Sequence, residues 1–293
     1  MVEPIRVSVC RGPVVEAVHT VHAVAVQDGA VVAEAGDSGL VSFYRSSAKP
    51  LQALQLVRAR PDLDDELVAI ASASHQAEPA QLEAVRKLLD TAGATEGMLE
   101  CGVQEGRVPE PLYHNCAGKH AGMLAVCRAR SWPGENYRLP GHPLQQAILR
   151  DVAEAAETSD VPTAVDGCGV VTFALPLERM ALSFSRLDQL DGGVRIVAAM
   201  RARPEFIGGR GSLDTELMQA GEWAAKGGAE GLLCAVAPDG LAIALKCEDG
   251  QFRALRPALG RFLERLERSA GTIGSTPLTN GLGETVGEIV ASA

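Results

Sequence analysis

Ser46 and Lys49 lie three residues apart in Arg45-Ser46-Ser47-Ala48-Lys49-Pro50. On a helix that spacing puts both side chains on one face. A serine hydroxyl attacks a carbonyl carbon once a base takes its proton, and lysine serves as that base when burial or nearby cations lower its pKa. Proline is tolerated only in the first turn of a helix, so Pro50 puts the pair at the start of a helix predicted over 51–59. There the positive end of the helix dipole favours developing negative charge. The bland alternative is a capping serine beside a solvated lysine.

Four further segments carry chemistry. Ser74, in Ala73-Ser74-His75-Gln76-Ala77-Glu78, follows the apolar run Val68-Ala69-Ile70. It is either a second hydroxyl for proton relay or a cap for the helix that follows. Lys226-Gly227-Gly228 leads into a strand, as a second lysine does in Ser-x-x-Lys acyl-transfer enzymes, or else it is a glycine turn with an exposed lysine. Cys116 and Lys119 share helical spacing in Asn115-Cys116-Ala117-Gly118-Lys119-His120, and Cys168 sits in the glycine-bracketed Asp166-Gly167-Cys168-Gly169. The two cysteines either meet on a metal or are buried thiols. A structural zinc ion prefers four Cys or His ligands, and a lysine must be neutral to bind one.

Taken in their order along the chain, these segments resemble the thermolabile, Rhizobium-type L-asparaginases of the asparaginase II family. The resemblance is carried by Arg45-Ser46-x-x-Lys49-Pro50-x-Gln52-Ala53, Ser74-His75, His114-Asn115-Cys116-x-Gly118-Lys119-His120-Ala121-Gly122-Met123 and Asp166-Gly167-Cys168-Gly169. Gly209-Arg210 and Lys226-x-Gly228-Ala229-Glu230-Gly231 extend it. It implies hydrolysis of the side-chain amide of L-asparagine to L-aspartate and ammonia by Ser–Lys nucleophilic catalysis. Ser46 with Lys49 and Ser74 with Lys226 would be the two catalytic pairs. Arg45, Glu78 and Asp166 would bind substrate, and Cys116, Lys119 and Cys168 would hold Zn2+, with no organic cofactor. It also implies a fold like that of the serine β-lactamases and penicillin-binding proteins, and a homodimer. Ala77 and Ala117 stand where the family commonly has glycine and serine. The rival readings are a glutaminase or another Ser-x-x-Lys acyl-transfer hydrolase, and a non-catalytic zinc or amino-acid binding protein.

The elements that must position these residues are legible in the apolar pattern. Val- and Ala-rich runs at 21–26 and 31–35 flank Asp28-Gly29, and runs at 231–236 and 241–246 flank Pro238-Asp239-Gly240, so each end of the chain predicts a hairpin. Between them, helical spacing predicts helices over 81–92, 118–130, 144–157, 194–203, 213–225 and 252–268. Strands at both ends with helices between them give an α+β class, in which an antiparallel sheet from both chain ends is covered by helices. No linker divides residues 1–293, so one domain is expected.

Composition sets the outer limits. Of 293 residues, 46% are hydrophobic and 22% charged, which supports a buried core. A net charge of −10 argues against a nucleic-acid surface and against a polybasic membrane anchor. No run reaches the roughly 20 apolar residues that span a bilayer. The first residues show no basic segment followed by an apolar run, so a cytoplasmic location is expected. Seven widely spaced cysteines fit free thiols in a reducing compartment.

Overall fold

A computed structural model describes residues 2–221 and 223–292. β1 (Ile5–Arg11) and β2 (Val14–Gln27) open the chain as an antiparallel pair. Ile5, Val7 and Val9 of β1 point inward on alternate positions, the period of two that a half-buried strand requires. β3 (Ala30–Ala35) folds back on β2 across Asp28-Gly29, as the turn signal predicts.

β4 (Val41–Phe43) leads through a 3-10 turn, Arg45–Ala48, into α1 (Lys49–Ala59). The helical part continues with α2 (Asp65–Ala71), α3 (Pro79–Ala92), α4 (Ala117–Arg130) and α5 (Pro143–Ala155). β5 (Thr163–Val165) and β6 (Val171–Pro176) pair with β4 in a small sheet of order β4-β6-β5. Four helices follow: α6 (Leu177–Ser185), α7 (Gly193–Ala202), α8 (Pro204–Ile207) and α9 (Leu213–Gly221). The chain closes with β7 (Ala224–Gly228), β8 (Leu232–Val236), β9 (Ala242–Cys247), α10 (Leu255–Arg265), β10 (Thr276–Thr279) and β11 (Thr285–Ala291).

The main sheet runs β10-β11-β1-β2-β9-β8-β7, with β3 on the side of β2. All its pairings are antiparallel. Its two halves join where β2 meets β9, from Val21 opposite Cys247 to Val26 opposite Ala242. The predicted terminal hairpins thus share one sheet. β7, β8 and β9 are buried at every position, so both of their faces are covered. α6 packs on β2, β8 and β9, and α10 on β1, β2, β9 and β11.

α1 is the centre of the helical layer. Every residue from Lys49 to Val57 is buried, with α2, α4, α5 and α7 around it. Two glycines let α4 approach. A Cβ at Gly118 would lie 2.2 Å from the Ile70 carbonyl oxygen, and one at Gly122 would press on Ala71 and Leu56.

Several boundaries differ from the sequence pattern. The helix predicted over 213–225 ends at Gly221, and Ala224 already belongs to β7. Ala-Ala-Lys-Gly-Gly has little strand preference of its own; pairing with β8 imposes it. The predicted 252–268 helix shortens to 255–265 after a 3-10 turn, and the pattern missed α2, α6, β1 and the β10–β11 pair.

Candidate active site

The start of α1 is built to expose one hydroxyl and bury one amine. Arg45 has φ +47°, a left-handed conformation that costs a side-chain-bearing residue roughly 1–2 kcal/mol. The Thr172 hydroxyl accepts its N–H at 3.1 Å, and its Nε donates to Asp166 at 2.6 Å. The turn then carries Ser46 to the edge of a cleft and Lys49 into the interior, where Lys49 is fully buried.

The cleft encloses about 240 Å³, and Ser46, Ser74, Asn115, Asp214, Lys226 and Phe252 are among its lining residues. Lys49 Nζ donates to the Ala73 carbonyl at 2.5 Å, to Ser74 Oγ at 3.0 Å and to the Asn115 carbonyl at 3.3 Å. Burial pushes this amine down to about 8, and the cations Lys226 and Lys119 add to the effect against the opposing pull of Cys116. A neutral amine hydrogen-bonded to a hydroxyl is therefore accessible near neutral pH.

Lys226 forms the opposite wall. It is fully buried on β7, with Nζ 3.3 Å from Asp214 Oδ2 and 2.7 Å from the Gly227 carbonyl. Burial would raise the Asp214 carboxyl. The Lys226 ammonium and the Gly227 N–H more than offset this and hold it below the usual carboxylate range. The glycines of β7 have a steric reason. A Cβ at Gly228 would lie 2.8 Å from Ser47 Oγ and 3.0 Å from the Tyr44 carbonyl oxygen. Only a bare backbone lets β7 lie against the turn that carries Ser46. Ser47 completes the join by donating to the Lys226 carbonyl at 2.8 Å.

Four residues proposed to act in two pairs thus line or border one cleft, but in a different pairing. Lys49 meets Ser74, not Ser46, and Lys226 meets Asp214, not Ser74. The reason is reach: the long amine of Lys49 extends across to the loop after α2, which Ser74 N–H anchors on the Ile207 carbonyl at 2.7 Å. The three expected substrate-binding residues are occupied elsewhere. Arg45 and Asp166 pair with each other. Glu78 caps α3 in a reciprocal box with Gln81 and accepts the Arg210 N–H. None of the three is among the residues lining the cleft. The alternative reading of Ser74 as the helix cap fails for the same reason, since Glu78 holds that position.

Sequence reasoning missed Asp214. An acid in the first turn of a helix is an ordinary N-terminal residue, and nothing in the chain announces that α9 delivers it to Lys226. The signal for Ala77 was present. It has φ +60°, a left-handed conformation in which glycine is the unstrained residue.

Cys116, Lys119 and Cys168 converge behind Lys49. All three are buried, and Lys119 Nζ donates to Cys168 Sγ at 3.1 Å. A hydrogen bond from Cys168 holds the Cys116 thiol well below its ordinary value, assisted by the Lys49 and Lys119 cations against burial. The same hydrogen bond, with burial, raises Cys168. Burial would lower Lys119, but Cys168, Cys116 and Asp166 together raise it above the ordinary lysine value. His120 is buried beside this group, with Nδ1 2.8 Å from the Tyr137 hydroxyl and a side-chain hydrogen bond to Cys168. Two sulfurs and an amine held together in a dry pocket fit a borderline cation such as Zn2+, provided the amine gives up its proton.

The sequence profile of the L-asparaginase II family matches residues 7–291. The chain belongs to the L-asparaginase II family. It is accordingly an amidohydrolase. No curated protein matches the chain. Solved structures similar to this family member include a probable glutaminase from Bacillus subtilis complexed with 6-diazo-5-oxo-L-norleucine. It shares 14% identity over 85% of this chain and 84% of that one, with a TM-score of 0.38. A β-lactamase from Mycobacterium bovis shares 16% identity over 85% and 95%, with a TM-score of 0.37.

Proposed function

We propose that this amidohydrolase cleaves the side-chain amide of L-asparagine, with Ser46 as nucleophile and Lys49 as base. The observation that carries the reading is the buried Lys49 amine, lowered to about 8 and 3.0 Å from Ser74 Oγ in a cleft that Ser46 also lines. Ser46 Oγ attacks the amide carbon, and its proton passes to neutral Lys49, with Ser74 as the relay between them. The resulting oxyanion collapses, the Lys49 ammonium returns the proton to the leaving nitrogen, and ammonia departs. Water then enters, Lys49 removes its proton, and the β-aspartyl ester is hydrolysed to aspartate. Lys226, balanced by Asp214, supplies positive potential on the facing wall for the substrate carboxylate and the oxyanion. The small volume of the cleft favours a free amino acid over a peptide.

Cys116, Lys119 and Cys168 would hold zinc in this scheme. When bound, the ion, its charge balanced by the two thiolates, would act as a Lewis acid that assists substrate placement. The reading includes a cytoplasmic homodimer. Among the described residues, no helix is long and apolar enough to cross a membrane.

Ammonia release from L-asparagine and L-glutamine tests the substrate. At least tenfold higher kcat/KM for asparagine is expected. A preference for glutamine would overturn the assignment, and no turnover of either would remove the hydrolase mechanism. Mass spectrometry of an acyl adduct trapped at low pH should find it on the peptide carrying Ser46. An adduct on Ser74 would exchange the roles of the two serines.

A further inference from the structure

A second set of metal-binding atoms lies where β2 and β9 part. Continuing the register that sets Val21 against Cys247 brings His19 opposite Asp249. His19 Nδ1 and Asp249 Oδ2 are 2.6 Å apart, and Cys247 Sγ donates to Asp249 Oδ1 at 2.9 Å. One ligand atom from each of the three residues lies within 4.8 Å of the others. From the other side, Arg253 Nε donates to His19 Nε2 at 3.0 Å. That bond makes Nε2 an acceptor, so the ring proton sits on Nδ1 and also points at Asp249.

Two protons, one on nitrogen and one on sulfur, therefore converge on one carboxylate. We propose that His19, Cys247 and Asp249 form a second metal site, for a borderline divalent cation of the Zn2+ type. An imidazole, a thiolate and a carboxylate are the donors such an ion accepts, with a fourth position left to water. The charges close: a divalent cation, one thiolate and one carboxylate sum to zero, which suits a site with two buried members. The protons balance as well. Cys247 releases one proton to solvent. His19 stays neutral and moves its ring proton from Nδ1 to Nε2, freeing Nδ1 for the metal. Access is through Asp249, whose side chain is 47% exposed, while His19 and Cys247 are covered.

Arg253 is the competitor. Its Nε–H faces the nitrogen that must take the proton, and its charge opposes a cation. It must swing away when metal binds, and it stands at an exposed position from which it can do so. This gives the proposal a signature that a merely structural hydrogen-bond network lacks: removing Arg253 should strengthen binding.

The test uses Co2+ as the probe in the full-length chain carrying Cys116→Ser and Cys168→Ser, so that those thiols cannot contribute. One Co2+ per chain should bind with a near-ultraviolet thiolate charge-transfer band and release one proton, measured by titration calorimetry in buffers of different ionisation enthalpy. Cys247→Ser should abolish the band, His19→Ala should weaken binding at least about tenfold, and Arg253→Ala should tighten it several-fold. In the unsubstituted chain, Cys247→Ser alone should lower bound Co2+ by one per chain, which covers the case where the double variant fails to fold. A band that survives Cys247→Ser, Co2+ content unchanged by it, or weaker binding in Arg253→Ala would each overturn the site.

Discussion

The two walls of the cleft each bury a lysine completely, yet they handle its charge in opposite ways. On the α1 wall, Lys49 donates to two carbonyl oxygens and the Ser74 hydroxyl, and the Cys116 and Cys168 thiols near it only partly offset its burial. Dipoles accept its hydrogen bonds, but no carboxylate balances it, so burial lowers its proton affinity. On the β7 wall, Lys226 has Asp214 at 3.3 Å, also buried. The lesson is that burial alone does not make a lysine a base. A base needs burial that outweighs any nearby counter-charge, whereas a buried ion pair gives a fixed electrostatic wall.

The strongest way to break this contrast is Lys49→Met, which keeps the side-chain length and removes the amine. Loss of a general base costs about 10²–10⁴-fold in rate. Ammonia release should fall into that range while the circular dichroism spectrum stays unchanged, and more than a tenth of the normal rate would remove Lys49 from the chemistry. Asp214→Asn tests the other wall. It leaves Lys226 buried beside a neutral partner, and breaking a buried pair in this way costs about 3–5 kcal/mol. Urea unfolding should record that loss. The double change Asp214→Leu with Lys226→Met should recover most of the stability and none of the activity. If it recovers activity too, the ion pair is scaffold only.

The pH dependence sharpens the comparison further. Neutral Lys49 is the active form, so kcat/KM should rise about tenfold per pH unit up to about pH 8 and then level off. Lys49→Met should lose this limb. The same group makes a stability statement. Its folded pKa, about 8, lies below the ordinary 10.5, so between those values the unfolded chain binds more protons and stability rises with pH. Below about pH 8 the buried ammonium costs the full difference, roughly 3 kcal/mol. Lys49→Met should therefore be the more stable protein at pH 7, and thermal melts across pH 7–10 would expose the opposite slope if the amine were well solvated. The smallest effect concerns the loop that carries Ser74. Ala77→Gly relieves a left-handed alanine and should stabilise the chain by about 1 kcal/mol with activity unchanged; a lower melting temperature would mean that the loop depends on the Ala77 methyl group.

By itself, the sequence determined the local pieces. Asp28-Gly29 and Pro238-Asp239-Gly240 set the two hairpins, because a turn depends on residues that are neighbours in the chain. Pro50 set the start of α1, because a missing N–H is tolerated only there. The order of Ser46, Lys49, Ser74, Cys116, Cys168 and Lys226 set the inventory of reactive groups. The tertiary structure decided which groups meet. Lys49 reaches Ser74, 25 residues away in sequence, and not Ser46, three residues away. Arg45 spends its charge on Asp166, and α9 brings Asp214 to Lys226. These choices depend on how deeply α1 is buried and how closely β7 lies against the turn before it. Such through-space distances are fixed by packing between elements, and spacing along the chain carries no record of them.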